Sequence, residues 1–289
     1  MVNRRRLSAS IISQQDRDDS KRLPPMGRID VHTHAFPDKL AGRAIETLEL
    51  MCPWKAIGDG TIDGLLRSMD QADIDVSVVC NIATKPNQVR NIFKWCKQIH
   101  SDRIEPLASV HPKTKRPGKW LAKFARAGLA GIKLHPMYQE FCLDDASLEE
   151  VYQAATEYGL IVATHCGQDI GFPPDDDRAS PRRAARVLDR HPKLKLLCTH
   201  MGGWKSWDEV DKHLIGRDVY LETSFSLAHM EPERAASMIA RHGPGRVMLG
   251  SDWPWSAQED EICRVMRLGL DEARMQAVFW KNAARLLGY

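Results

Sequence analysis

Two histidines one residue apart, His32 and His34, close a short apolar run at 28–34. Residues i and i+2 of a strand point to one face, so two imidazoles there can share a cation. The placement recurs. His111, His135, His165 and His200 stand at the ends of later apolar runs, and Asp252 stands at the end of the last. Several neutral imidazoles with one carboxylate suit a single divalent metal, zinc first, with manganese or iron as alternatives. The competing reading makes each a core histidine bonded to a carbonyl. The other histidines (100, 191, 213, 229 and 242) fall at helix ends or in loops, where solvation or pairing with a helix dipole accounts for them.

The runs that must position these groups are eight in number: 28–34, 76–82, 104–111, 129–135, 160–166, 194–201, 219–225 and 246–253. Most are apolar at successive positions, as in Leu160-Ile-Val-Ala-Thr164, which is how a strand buried on both faces reads. Helical patterns lie between them, for example at 61–72, 87–100, 146–158, 181–190, 231–242 and 257–268. Asp145 and the Ser180-Pro181 pair read as helix starts. Eight strand–helix units over about 260 residues predict a single-domain α/β (β/α)8 TIM barrel, whose reactive groups come from the carboxyl ends of its strands. A doubly wound sheet is the alternative, but no glycine-rich phosphate turn follows the first run.

Composition narrows the function. Of the 289 residues, 43% are hydrophobic and 27% charged, as in an ordinary globular chain. The formal charge of +3 resides in residues 1–26, where Arg4, Arg5, Arg6, Arg17, Lys21 and Arg22 face three aspartates; the rest of the chain is neutral. A neutral body offers no electrostatic footprint for nucleic acid. Residues 1–26 are polar and aperiodic, which predicts a disordered N-terminal extension ahead of a domain at 27–289. The seven cysteines are scattered and show no C-x-x-C spacing, so buried thiols in a reducing compartment are expected. No apolar stretch is long enough to span a membrane, and the start lacks a signal-peptide core. A cytoplasmic location is expected, with neither a membrane nor a nucleic acid as partner.

Five segments, taken in order, resemble the motif series of the amidohydrolase superfamily: Ile29-Asp-Val-His-Thr-His34, Gly131-Ile-Lys-Leu-His-Pro136, Thr164-His-Cys-Gly167, Thr199-His-Met-Gly-Gly203 and Gly250-Ser-Asp-Trp-Pro254. The set is similar to that of the amidohydrolase-related group containing aminocarboxymuconate-semialdehyde and resorcylate decarboxylases. Asn282-Ala-Ala-Arg-Leu-Leu-Gly288 resembles that group's ending. The resemblance implies that His32, His34, His165 and Asp252 bind the metal and that His200 is the catalytic histidine. Asp252 would also hold the attacking water. Barrels of this kind often dimerise, so a homodimer is an implied assembly.

Lys133, at the end of the fourth run, has three readings: a carboxylated bridge between two metals, a cationic anchor for a substrate carboxylate, or a structural ion pair. As a free ammonium it must sit back from the metal. With His135 it is assigned to substrate binding; His135 and His111 also have a structural reading. Residues 36–60 form a long first connection of the kind that serves as a lid. Trp253 and Trp255 flank Asp252 and either stack on a substrate or wall the site. Together these point to a hydrolase in which a metal-activated water attacks the carbonyl of a small carboxylated lactone, ester or amide. A nonoxidative decarboxylase is the alternative, and a barrel that binds metal without turnover is a third reading.

Overall fold

The computed structural model describes residues 27–289; the stretch 1–26, expected as a disordered extension, lies outside the described residues. Eight short strands follow one another along the chain: β1 (Ile29–Thr33), β2 (Val76–Cys80), β3 (Ile104–Leu107), β4 (Gly131–Leu134), β5 (Ile161–Thr164), β6 (Lys195–Cys198), β7 (Tyr220–Glu222) and β8 (Val247–Met248). All ladder pairs are parallel and join sequence neighbours. Between β3 and β4, Lys133 N–H donates to the Ala108 carbonyl at 2.8 Å. Between β8 and β1, Val31 N–H donates to Leu249 at 2.9 Å and Asp252 N–H to His32 at 2.7 Å. These bonds close the sheet into a barrel of eight strands, as expected.

The twelve helices of the described residues, named here in chain order, are α1 (Asp38–Met51), α2 (Ile62–Ala72), α3 (Val89–Ile99), α4 (Pro117–Arg126), α5 (Pro136–Gln139), α6 (Glu149–Glu157), α7 (Pro181–Arg190), α8 (Trp207–His213), α9 (Pro232–His242), α10 (Gln258–Met266), α11 (Glu272–Gln276) and α12 (Asn282–Leu287). Their starts follow local chemistry. Thr61 accepts from Gly64 N–H at the start of α2, and prolines open α4, α7 and α9, where a missing N–H costs nothing. Asp145 caps a 3₁₀ turn that runs into α6.

Two apolar clusters result. The larger joins the outward strand faces to the surrounding helices. The smaller holds Ile29, Val78, Leu107, Ile161, Leu197 and Met248 from around the barrel, with Ala283 and Leu286 of α12. The helix thereby closes the lower end of the barrel interior.

One expectation changes. The 36–60 connection is not a plain loop, because α1 occupies 38–51. Leu40, Ala44 and Leu48 recur at helical spacing and face the cavity described below. The helix has no side-chain cap and buries only Ala41 fully, so its usual terminal and core signals are absent.

Candidate metal centre and active site

The carboxyl ends of the strands surround a cavity of about 640 Å³. His32, His34, Lys133, His135, His165, His200 and Asp252 all line it. Seven positions separated by up to 220 residues are thus brought to one rim. His111 is not among the lining residues. It holds a local turn, accepting from Lys113 N–H at Nδ1 (3.1 Å).

The protonation pattern follows from the hydrogen bonds. His34 Nδ1 lies 2.9 Å from the Cys80 carbonyl, which can only accept, so Nδ1 carries the proton and Nε2 is bare. His32 Nδ1 lies 3.1 Å from Glu222 Oε1 and from Ser224 Oγ, which leaves its Nε2 bare as well. The two bare nitrogens face each other at 3.2 Å. Asp252 Oδ1 stands 3.2 Å from His34 Nε2 and 3.5 Å from His32 Nε2. Three lone-pair donors converging with no proton among them repel unless a cation sits between them. The donor set, two imidazoles and a carboxylate, therefore fits a divalent metal, with outer hydrogen bonds that fix the ring orientations.

His165 donates from Nε2 to the Gln168 carbonyl at 2.9 Å, so its bare Nδ1 faces His200 Nε2 at 3.1 Å. It does not join the close group of His32, His34 and Asp252. Its ligand atoms cluster instead with those of His135 and Asp169. The His135 and His165 rings stack at 4.4 Å, and His135 Nε2 donates to Asp169 Oδ2 at 3.3 Å.

Burial lowers the His32 pKa, reinforced by Lys133, and lowers His165 to about 3 and His200 to about 4. Neutral rings result, as ligation requires. Burial pushes Asp252 upward, but His32, His34 and His200 outweigh it and hold the carboxyl below its usual range. Asp169 is likewise held low by His135 and His165 against its own burial.

Lys133 is buried, with Nζ 3.1 Å from His32 Nε2. The amine is therefore not set back, as an ammonium beside a metal would have to be. It stands directly against the His32 ring, donating to the lone pair that a cation would claim. The sequence reading also passed over Asp169, Glu222 and Ser224. Asp169 follows His165 by four residues, a spacing that could have flagged it, whereas Glu222 lies inside the seventh run and ends only the observed strand β7.

Backbone shape is specialised at the same points. His200 and Asp252 have φ of 59° and 64°, a left-handed conformation uncommon outside glycine, so the surrounding bonds must over-determine it. Among these, Trp207 Nε1–H donates to the His200 carbonyl at 3.2 Å. Register shifts between Asp30 and Thr33, and irregularities of that kind re-aim side chains beside sites. The two tryptophans around Asp252 separate in role. Trp255 lines the cavity, whereas Trp253 is buried against Gly58, where a Cβ would lie 2.4 Å from the indole.

Comparison with known proteins gives the same picture. No curated protein matches the chain. An uncharacterised TIM-barrel protein from Bordetella bronchiseptica superposes with a TM-score of 0.71 at 16% identity, covering 91% of this chain and 99% of that one. A 2,6-dihydroxybenzoate decarboxylase from Rhizobium gives 0.70 at 14%, with 91% and 99% covered. A 5-carboxyvanillate decarboxylase from Novosphingobium aromaticivorans, complexed with manganese and 4-hydroxy-3-methoxy-5-nitrobenzoic acid, gives 0.67 at 15%, with 91% and 96% covered. At these identities the likeness is one of fold. Residues 29–289 match the amidohydrolase family, a span that begins with β1 and carries every residue of the rim. On that match, and with a barrel whose rim gathers imidazoles and a carboxylate, the chain belongs to the amidohydrolase family.

Proposed function

We propose that the protein hydrolyses a small carboxylated lactone, ester or amide, using one divalent metal held by His32, His34 and Asp252, with His165 completing the set. Zinc is the first choice of ion and manganese the second. The observation that carries the reading is Asp252 Oδ1, a carboxylate kept ionised beside the two bare nitrogens and lining the same cavity as His200. When bound, the ion supplies a Lewis acid that polarises a carbonyl and acidifies water.

The chain's residues supply the rest. Asp252 orients the attacking water and takes its proton at Oδ1. His200, neutral at Nε2, donates or accepts a proton at the reacting centre. One proton passes to the leaving oxygen or nitrogen as its bond to the acyl carbon breaks. Lys133 turns from His32 to the substrate carboxylate once an ion occupies the rim, and His135, held by Asp169, contacts the substrate beside it.

Nonoxidative decarboxylation is the second reading. The aromatic wall of Trp204, Phe225 and Trp255 suits a ring-shaped acid, and two of the fold neighbours above act as decarboxylases. Assays of CO2 release and of titratable acid release over a panel of carboxylated lactones, esters, amides and hydroxybenzoates separate the two. Acid release that depends on added metal supports hydrolysis. CO2 release with the C–O and C–N bonds intact overturns it in favour of the second reading.

A further inference from the structure

Glu222 ends β7 with no exposed surface, and four donors converge on its two oxygens. Oε1 accepts from His32 Nδ1 at 3.1 Å, His200 N–H at 2.7 Å and Ser224 Oγ at 2.8 Å; Oε2 accepts from Ser224 N–H at 2.6 Å. A carboxylate only accepts, so each partner must present its hydrogen. His32 is thereby obliged to carry its proton on Nδ1. Ser224, having given its hydroxyl hydrogen to Glu222, can only accept at Oγ from His200 Nδ1, 2.9 Å away. The Ser224 carbonyl, 3.2 Å from the same nitrogen, also only accepts. His200 must then carry its proton on Nδ1 too. Gly250 makes room for this arrangement, since a Cβ there would lie 2.0 Å from Glu222 Oε2.

We propose that Glu222 is a positioning residue that sets the tautomer of His32, so that this ring turns a bare Nε2 to His34 and Asp252, and that through Ser224 it reinforces the Nδ1–H of His200, which the Ser224 carbonyl also holds. One carboxylate on β7 thereby prepares a ligand on β1 and a proton carrier after β6. The proposal rests on the metal-dependent reading above for its consequence, and on hydrogen-bond geometry for its cause.

The test compares wild-type protein with E222Q and S224A. Zinc affinity is read by competition with a chromophoric chelator, and ring tautomers by 15N–1H spectra of the histidines in metal-stripped protein. A glutamine must turn its NH2 toward a donor whichever way it lies. E222Q is therefore expected to bind zinc about 10- to 100-fold more weakly, the scale of an outer hydrogen-bond partner. The His32 proton moves to Nε2 in E222Q, whereas S224A leaves His200 protonated at Nδ1, because the carbonyl of residue 224 still accepts there. Folded E222Q with wild-type affinity and unchanged ring spectra overturns the proposal. If E222Q does not fold, the wild-type spectra decide, and a His32 ring protonated at Nε2 in the metal-stripped protein overturns it. If wild type itself binds no zinc, the metal-dependent reading fails, while the ring spectra still judge Glu222.

Discussion

In the proposed function Asp252 and His200 divide the work at the rim, and single substitutions should separate their shares. In the proposed reaction Asp252 would contribute an oxygen to the ion and a place for the water's proton, so D252A is expected to lose both metal and turnover. His200 has its Nε2 turned to His165 and lies outside the group of His32, His34 and Asp252, its ligand atoms clustering instead with those of His32 and Glu222. H200A should therefore keep its metal while kcat falls about 10²- to 10⁴-fold, the usual range for a positioned acid–base group. Elemental analysis of each purified variant, alongside turnover, checks the pair. Metal lost from H200A would place that ring in the ligand set instead. Lys133 belongs at this scale as well. One metal per chain leaves it an anchor for the substrate carboxylate, whereas two would mean that it is carboxylated and bridges them.

Elements carry these residues, and α10 shows how a helix behind the site responds to pH. Burial pushes its Glu261 carboxyl up to about 7, helped by Glu222 and Asp260 and opposed by Arg264 and the Ser256 hydroxyl. An unfolded glutamate titrates near 4.3. Between those values the folded state binds more protons than the unfolded one, so stability falls as pH rises through that window. The loss is on the order of 4 kcal/mol at most and is complete above pH 7. E261Q should flatten the slope of Tm against pH between about 4 and 7, measured by thermal unfolding; an unchanged slope would assign the dependence elsewhere. Elements also show what a sequence can disclose. The eight strands and α7 stand out because successive apolar residues and a Ser-Pro start are local signals. Helix α1 does not, since it packs over a cavity mouth and buries a single residue. Glu222 escaped for a related reason. Two of its partners, His32 and His200, lie 190 and 22 residues away in the chain, so its bond to the nearby Ser224 acquires a role only when closure of the barrel brings them in. The histidines were legible because strand ends in a barrel share one rim. Which nitrogen each offers, and that His165 faces His200 before any ion, depends on carbonyls that no motif records.

For the whole molecule, an ion that joins groups from β1 and β8 ties together the strands at which the barrel closes. Bound to the folded state alone, it should stabilise by about 2.7 kcal/mol at a free concentration 100 times its Kd. Removal of metal by a chelator is expected to lower Tm, and added zinc or manganese to restore it. The shift should vanish in D252A; an equal shift there would mean that the stabilising ion sits elsewhere. No helix among the described residues is long and apolar enough to cross a membrane. The plug that α12 makes beneath the barrel has a different consequence. With the apolar side chains packed above it, it closes the barrel from below, so the cavity is reached from the rim side, where α1 lies. Whatever reacts at the bottom must enter tip first and leave by the way it came.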